Sequence, residues 1–199
     1  MGFQLAKKSK LTLEIERCTY CKDVLTHEPR PVFSFSSASR IVIIGQAPGI
    51  KVHQSGIPWD DASGERLRQW LQVTKDQFYN NKLFAIVPMG FCYPGRGKSG
   101  DLPPRPECAE LWMDKVLATL KQKELILLIG QYAQKYFLGP SMKRTLTETV
   151  KSWQEYEPHF FTLPHPSPRN NIWLKKNDWF VKKTVPALQR KIQAILNSD

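Results

Sequence analysis

Four short apolar runs, Arg40–Gly45, Leu83–Met89, Leu125–Gly130 and Phe160–Leu163, punctuate the chain without the polar alternation of a half-exposed strand. That pattern is typical of parallel strands buried on both faces. Between and after them, apolar residues recur at helical spacing over Gly64–Leu71, Glu107–Leu120, Gln131–Leu138 and Val181–Leu196, and a further helix is expected from Leu11 into Arg17. Strands alternating with helices predict an α/β protein, a three-layer α-β-α sandwich around a central four-stranded parallel sheet. The chain has no internal repeat, linker or low-complexity tract, so residues 1–199 are expected to form a single domain.

The first run stops at Gly45 and opens into Gln46-Ala47-Pro48-Gly49. Proline fixes φ in this turn, and Gly49 permits close approach of the backbone to a bound group. Ser63-Gly64 then precedes a helix carrying Glu65, Leu67, Trp70 and Leu71. Ligands of open α/β sheets sit beyond the carboxyl ends of the strands, so a site is expected here. The loop is neither a dinucleotide fingerprint nor a P-loop, because G-x-G-x-x-G is absent and no Gly-Lys-Ser/Thr follows the turn. A second proline-rich loop, Leu163-Pro164-His165-Pro166-Ser167-Pro168-Arg169-Asn170, holds one imidazole between two prolines.

Composition narrows the partners. The chain is 199 residues long and 41% hydrophobic, enough for one substantial core. Its 29 Lys and Arg against 18 Asp and Glu give a formal charge of +11, which favours a polyanion, nucleic acid before an anionic membrane. No apolar run approaches the roughly 18 residues of a membrane span. The start lacks a signal-peptide core, and Gly2 lacks the Ser or Thr that myristoylation requires. An intracellular, cytoplasmic location is expected. Lys7, Lys8 and Lys10 form a basic leader, and Arg96, Lys98 and Arg105 are phosphate contacts or solvated loop charges. Lys175, Lys176, Lys182 and Lys183, interleaved with Trp173, Trp179 and Phe180, form a phosphate-binding ridge or a solvated helix face.

The four cysteines fall as a C-x2-C pair, Cys18 and Cys21, and two distant members, Cys92 and Cys108. In a reducing compartment this set suits one tetrahedral metal or cluster site better than disulfides. The stretch between Cys92 and Cys108 has too many Gly and Pro residues to be expected to order itself. His27, His53 and His159 lack a metal-ligand spacing and read as structural or surface histidines, His53 being kept as a contact because it lies in the first loop.

Gln46-Ala47-Pro48-Gly49 after Gly45, Gly56-Ile57-Pro58-Trp59, Ser63-Gly64 and the later His165-Pro166-Ser167-Pro168-Arg169-Asn170 resemble the two active-site motifs of the uracil-DNA glycosylase superfamily. The first motif and the cysteine pattern resemble the family-four iron–sulfur type. The second motif resembles the classical and single-strand-selective enzymes. The resemblance runs from about Cys18 to the final helix and implies that Cys18, Cys21, Cys92 and Cys108 hold a [4Fe–4S] cluster. A structural zinc ion is the alternative, which sequence does not separate.

The resemblance also implies a monofunctional DNA glycosylase of base excision repair, acting as a monomer on DNA containing uracil or a related lesion. His165 would donate a hydrogen bond to the leaving base, where a prealigned donor is worth about 10²–10³ in rate. The flipped base would lie among Gln46, Ala47, Pro48, Gly49, Trp59 and Met89, with Trp59 stacking on it. Ser167, Pro168, Arg169 and Asn170 would enter the minor groove.

Two departures from the family follow from the same residues. Gln46 and Ala47 stand where relatives carry Glu or Asp, so Gln46 and Asp61 are the catalytic candidates beside His165. Asp60 is the neighbouring acid, and helix-terminal acids are the ordinary reading of both. No Asn follows Ile86-Val87-Pro88-Met89 to read uracil, and Gly49 replaces a thymine-excluding Tyr, which implies a roomier pocket. No His lies between Cys92 and Cys108 to trap DNA covalently. A non-catalytic DNA-binding protein with the same fold and pocket is the alternative function.

Overall fold

The computed structural model describes residues 8–198, so Lys7 of the basic leader lies outside them. Its strands are β1 (Ile41–Ile44), β2 (Phe84–Ile86), β3 (Arg96–Gly97), β4 (Gly100–Asp101), β5 (Leu125–Ile129) and β6 (Phe160–Leu163). Its α-helices are α1 (Lys10–Glu16), α2 (Ile50–Ser55), α3 (Ala62–Leu71), α4 (Lys75–Tyr79), α5 (Pro106–Thr119), α6 (Gln131–Leu138), α7 (Leu146–Lys151), α8 (Asn171–Lys176) and α9 (Val185–Asn197).

The four apolar runs form one sheet in the order β2-β1-β5-β6, every pair parallel. Because side chains alternate across the sheet, the continuous runs feed two apolar layers. Ile41, Ile43, Leu127, Phe161 and Leu163 pack with Leu67, Trp70 and Leu71 of α3 and Leu188 and Ile192 of α9. Val42, Ile44, Ala85 and Leu128 pack on the other side with Ile15 of α1, Met113 and Val116 of α5 and Ala133 of α6. The expected α-β-α sandwich is therefore present. Each fully buried large side chain contributes about 1.5–3 kcal/mol by leaving water.

Several elements differ from expectation. β2 ends at Ile86 because Pro88 has no N–H for the ladder, although Val87 and Met89 still donate to the carbonyls of Ile43 and Gly45 at 2.9 Å. The expected helix from Val181 begins instead as a π-turn over Phe180–Thr184 and becomes α9 at Val185. Pro186 next to that junction cannot donate into an α-helical register. The stretch between Cys92 and Cys108, expected not to order itself, folds back as a hairpin with Arg96 opposite Asp101 and Gly97 opposite Gly100. The outer edge of β2 is covered by the preceding segment, where Ser34 exchanges backbone hydrogen bonds with Ile86 at 3.0 and 2.6 Å. Among the described residues no helix is long and apolar enough to cross a membrane.

Candidate active site

The sheet reverses its strand order between β1 and β5, and a cavity of about 440 Å³ opens beyond the carboxyl ends of β1, β2 and β6. Gln46, Ala47, Pro48 and Gly49 come from the loop after β1, Trp59, Asp61 and Ser63 from the approach to α3, and Ile86 and Pro88 from β2 and its exit. The loop after β6 supplies His165, Ser167, Arg169 and Asn170.

Met89, expected in this pocket, is not part of it. Ile86 and Pro88 face the cavity, so their odd-numbered neighbours Val87 and Met89 point into the opposite layer, where Met89 is buried. Pro168 likewise stays outside the cavity, opening an exposed 3-10 turn over Pro168–Asn170.

Trp59 is seated by two glycines. A Cβ on Gly45 would stand 2.9 Å from its Cζ2, and one on Gly64 would collide with its carbonyl oxygen. Its backbone has φ +56°, a left-handed conformation unusual for a bulky residue. The strain is held in place from both sides. Tyr79 donates to the Pro58 carbonyl at 3.0 Å, Arg68 to the Trp59 carbonyl at 3.4 Å, and Asp61 caps α3 by accepting from the Gly64 N–H at 2.8 Å.

His165 lies beside Trp59 in the cavity wall, ring centroids 5.6 Å apart at 32°. Its Nδ1 accepts from the Ser167 N–H at 3.2 Å, which in the neutral ring leaves the proton on Nε2. Asn170 Nδ2 donates to the His165 carbonyl at 2.7 Å, and Arg66 Nη1 to that of Ser167 at 3.1 Å. Below them, Gln134 Nε2 spans β5 and β6 with bonds to the carbonyls of Leu128 (3.2 Å) and Leu163 (2.9 Å). The imidazole is partly open to the cavity but closely surrounded by protein, and desolvation lowers its pKa below the ordinary histidine value while Asp61 and Asp101 oppose the shift. The site therefore holds a neutral imidazole with one N–H left to donate.

The hairpin brings residues that the sequence did not reveal. Ser99, Gly100 and Asp101 line the cavity mouth, and Arg169 reaches across it so closely that a Cβ on Gly100 would collide with its guanidinium. The one hint in the sequence was Gly97-Lys98-Ser99-Gly100, a glycine-flanked turn.

Elsewhere, the four cysteines converge. Cys18, Cys21, Cys92 and Cys108 line one small apolar cavity with Ile15, Leu25, Phe91 and Trp112. The Phe91 N–H donates to Cys108 Sγ at 3.2 Å. Burial pushes the Cys92 thiol up to about 11 and the Cys108 thiol up to about 12, and it raises Cys21 as well. Arg105, read from the sequence as a phosphate contact or a solvated loop charge, pairs with Glu107 at 2.5 Å and borders the same small cavity as Cys21. Four converging sulfurs with an N–H donor and a guanidinium beside them suit a thiolate-bound group chemically. Among the described residues, however, no three His, Cys, Asp or Glu side chains are spaced to hold a metal ion.

The remaining candidates lie outside the cavity. His53 sits in α2 with its carbonyl accepting from Arg30 at 2.7 Å, and its ring packs on His27 and Tyr93. Burial, His27 and Arg30 lower its pKa. Trp173, Trp179 and Phe180 pack edge-on against one another, while Lys175, Lys176, Lys182 and Lys183 are exposed beside them and Lys182 pairs with Asp178 at 2.6 Å.

A solved structure similar to this one is that of wild-type Pedobacter heparinus SMUG2, at 17% identity and TM-score 0.43 over 80% of this chain and 77% of that one. Residues 33–189, well over half of the sequence, match the Uracil DNA glycosylase superfamily, and the chain belongs to that superfamily, whose members are generally DNA glycosylases.

Proposed function

We propose that the protein is a monofunctional, monomeric DNA glycosylase that hydrolyses the N-glycosidic bond of uracil or a related deaminated or modified base in DNA. The observation that carries this reading is His165. Its Nδ1 is occupied by the Ser167 N–H and burial disfavours its protonation, leaving a neutral Nε2–H donor at the cavity. As the C1′–N bond breaks, its electron pair passes to the base, and the leaving ring becomes an anion delocalised onto its carbonyl oxygens. A fixed neutral donor stabilises that anion without needing a proton transfer. Trp59 offers a face for the flipped base, and about 440 Å³ accommodates one nucleobase with its sugar. Ser167, Arg169 and Asn170 at the mouth, with Pro168 beside them, suit the minor groove.

The reading assigns Cys18, Cys21, Cys92 and Cys108 to a [4Fe–4S] cluster, with zinc as the alternative, supported by their sharing one cavity. Bound there, the group would act structurally, clipping the segment after α1 to both ends of the hairpin-bearing loop.

One observation favours a second reading, a non-catalytic DNA-binding protein. The loop after β1 places Gln46 and Ala47, neither of them acidic, at the cavity. Alkaline cleavage of labelled oligonucleotides carrying uracil, hypoxanthine, xanthine or 5-hydroxymethyluracil separates the two. Strand breaks at one lesion that disappear in His165→Leu establish the glycosylase. Salt-sensitive binding with no breaks at any lesion establishes the binder.

A further inference from the structure

We propose that Asp101, on the hairpin between Cys92 and Cys108, is the catalytic carboxylate that receives the proton of the attacking water. This rests on the glycosylase reading above. Hydrolysis at C1′ leaves cationic character on the sugar and requires a water molecule to surrender a proton, so a carboxylate bordering the cavity serves both needs. Of the lining residues, Asp61 and Asp101 alone carry one.

Their circumstances differ. Asp61 is engaged as the cap of α3, its Oδ1 accepting the Gly64 N–H at 2.8 Å. Asp101 is not tied to a helix end. Its Oδ1 accepts from the Tyr93 hydroxyl at 3.4 Å, and its Oδ2 stands 3.5 Å from where a Cβ of Gly49 would be. The carboxylate thus spans from a buried tyrosine to the turn after β1, with one oxygen on the side where a nucleotide would lie. Tyr93 is 3% exposed and packed by His27 and His53, which makes it a fixed support. Asp101 and His165 line the same cavity, so donor and carboxylate both border the space a nucleotide would occupy.

The step balances without a further reactant. The C1′–N bond breaks with its electron pair leaving on the base, whose anion accepts a hydrogen bond from His165 Nε2–H. Water bonds through oxygen to C1′ and gives a proton to Asp101. That proton then passes to solvent and the base anion takes one up, giving an abasic sugar and a neutral free base. Tyr93 is a positioning residue that acts through Asp101.

Single-turnover base release, together with DNA affinity, is measured for wild type, Asp101→Asn, Asp101→Glu, Asp61→Asn and Tyr93→Phe on the lesion that wild type cleaves. Asn caps helices as well as Asp, so Asp61→Asn preserves α3. The expected result is an approximately 100-fold or greater loss in Asp101→Asn with DNA affinity retained, partial recovery in Asp101→Glu, a loss of roughly tenfold in Tyr93→Phe and a smaller loss in Asp61→Asn than in Asp101→Asn. Near-normal release by Asp101→Asn while His165→Leu is inactive overturns the role of Asp101 and leaves the glycosylase standing. A wild type that releases no base from any lesion overturns both.

Discussion

The indole of Trp59 and the imidazole of His165 stand 5.6 Å apart, side by side in the cavity wall, and the indole stays there because residue 45 has no side chain. Gly45→Ala places a methyl 2.9 Å from Trp59 Cζ2 and moves the ring into the space of the base. Base release should fall by an order of magnitude or more, with a stability cost of about 1–3 kcal/mol from overpacking. Gly64→Ala reverses a common rule. Inside a helix this change usually gains about 1 kcal/mol, but here the methyl meets the Trp59 carbonyl, so the melting temperature should drop. Thermal melts beside single-turnover assays of both variants check this, and a Gly64→Ala protein that melts higher than wild type rejects it.

His165 gives a pH dependence of definite sign. Its pKa in the folded protein is below the ordinary value of 6.5, so the unfolded chain takes up a proton first as the solution is acidified. The associated stability is fully present above pH 6.5 and is lost as pH falls through that value toward the lowered folded pKa. His53 shifts in the same direction. Melting temperature should therefore decline from neutral pH toward pH 5, less steeply in His165→Leu, and base release should hold level through pH 6.5. An activity loss centred at pH 6.5 shows that the imidazole titrates as an exposed histidine would.

Much of the sheet was legible because a strand buried on both faces needs an unbroken apolar run, and Ile41–Ile44 and Leu125–Ile129 are such runs. The helices α2, α4, α7 and α8 were not foreseen, since five or six residues are too few to display a period. Two left another trace, the capping boxes Thr74-x-x-Gln77 and Thr145-x-x-Glu148. The His165 loop stood out through its prolines. Met89 was misplaced because the phase of a strand decides which neighbour faces a cavity, and composition does not carry phase. Asp101 was invisible because a hairpin anchored at distant points brings it to the mouth.

The cysteine site makes a prediction of its own. Protein purified without oxygen should carry about four iron atoms per chain if the group is a [4Fe–4S] cluster and about one zinc if it is not. Cys108→Ser, altering the thiol that accepts from the Phe91 N–H, should lose the metal and lower the melting temperature. The hairpin hangs between Cys92 and Cys108, so metal loss should also loosen the cavity mouth and slow base release. Metal-free wild type that melts and reacts like the loaded protein rejects a structural role.

Arg169 tests how DNA is engaged. Its guanidinium bridges from the His165 loop to Gly100 at the cavity mouth, and the protein's charge is +11. If it pairs with a phosphate, Arg169→Ala should weaken binding alike for damaged and undamaged DNA and reduce the salt slope by about one. If it fills the space of the flipped nucleotide, the same change should leave the salt slope intact and slow base release from duplex more than from single strands, because only a duplex has a stack to be opened. The minor-groove role assigned to this loop calls for the second result. Gly100→Ala, which displaces the guanidinium without removing its charge, should then slow release from duplex as well. Binding titrations at three salt concentrations, paired with release rates on both substrates, decide between the two outcomes.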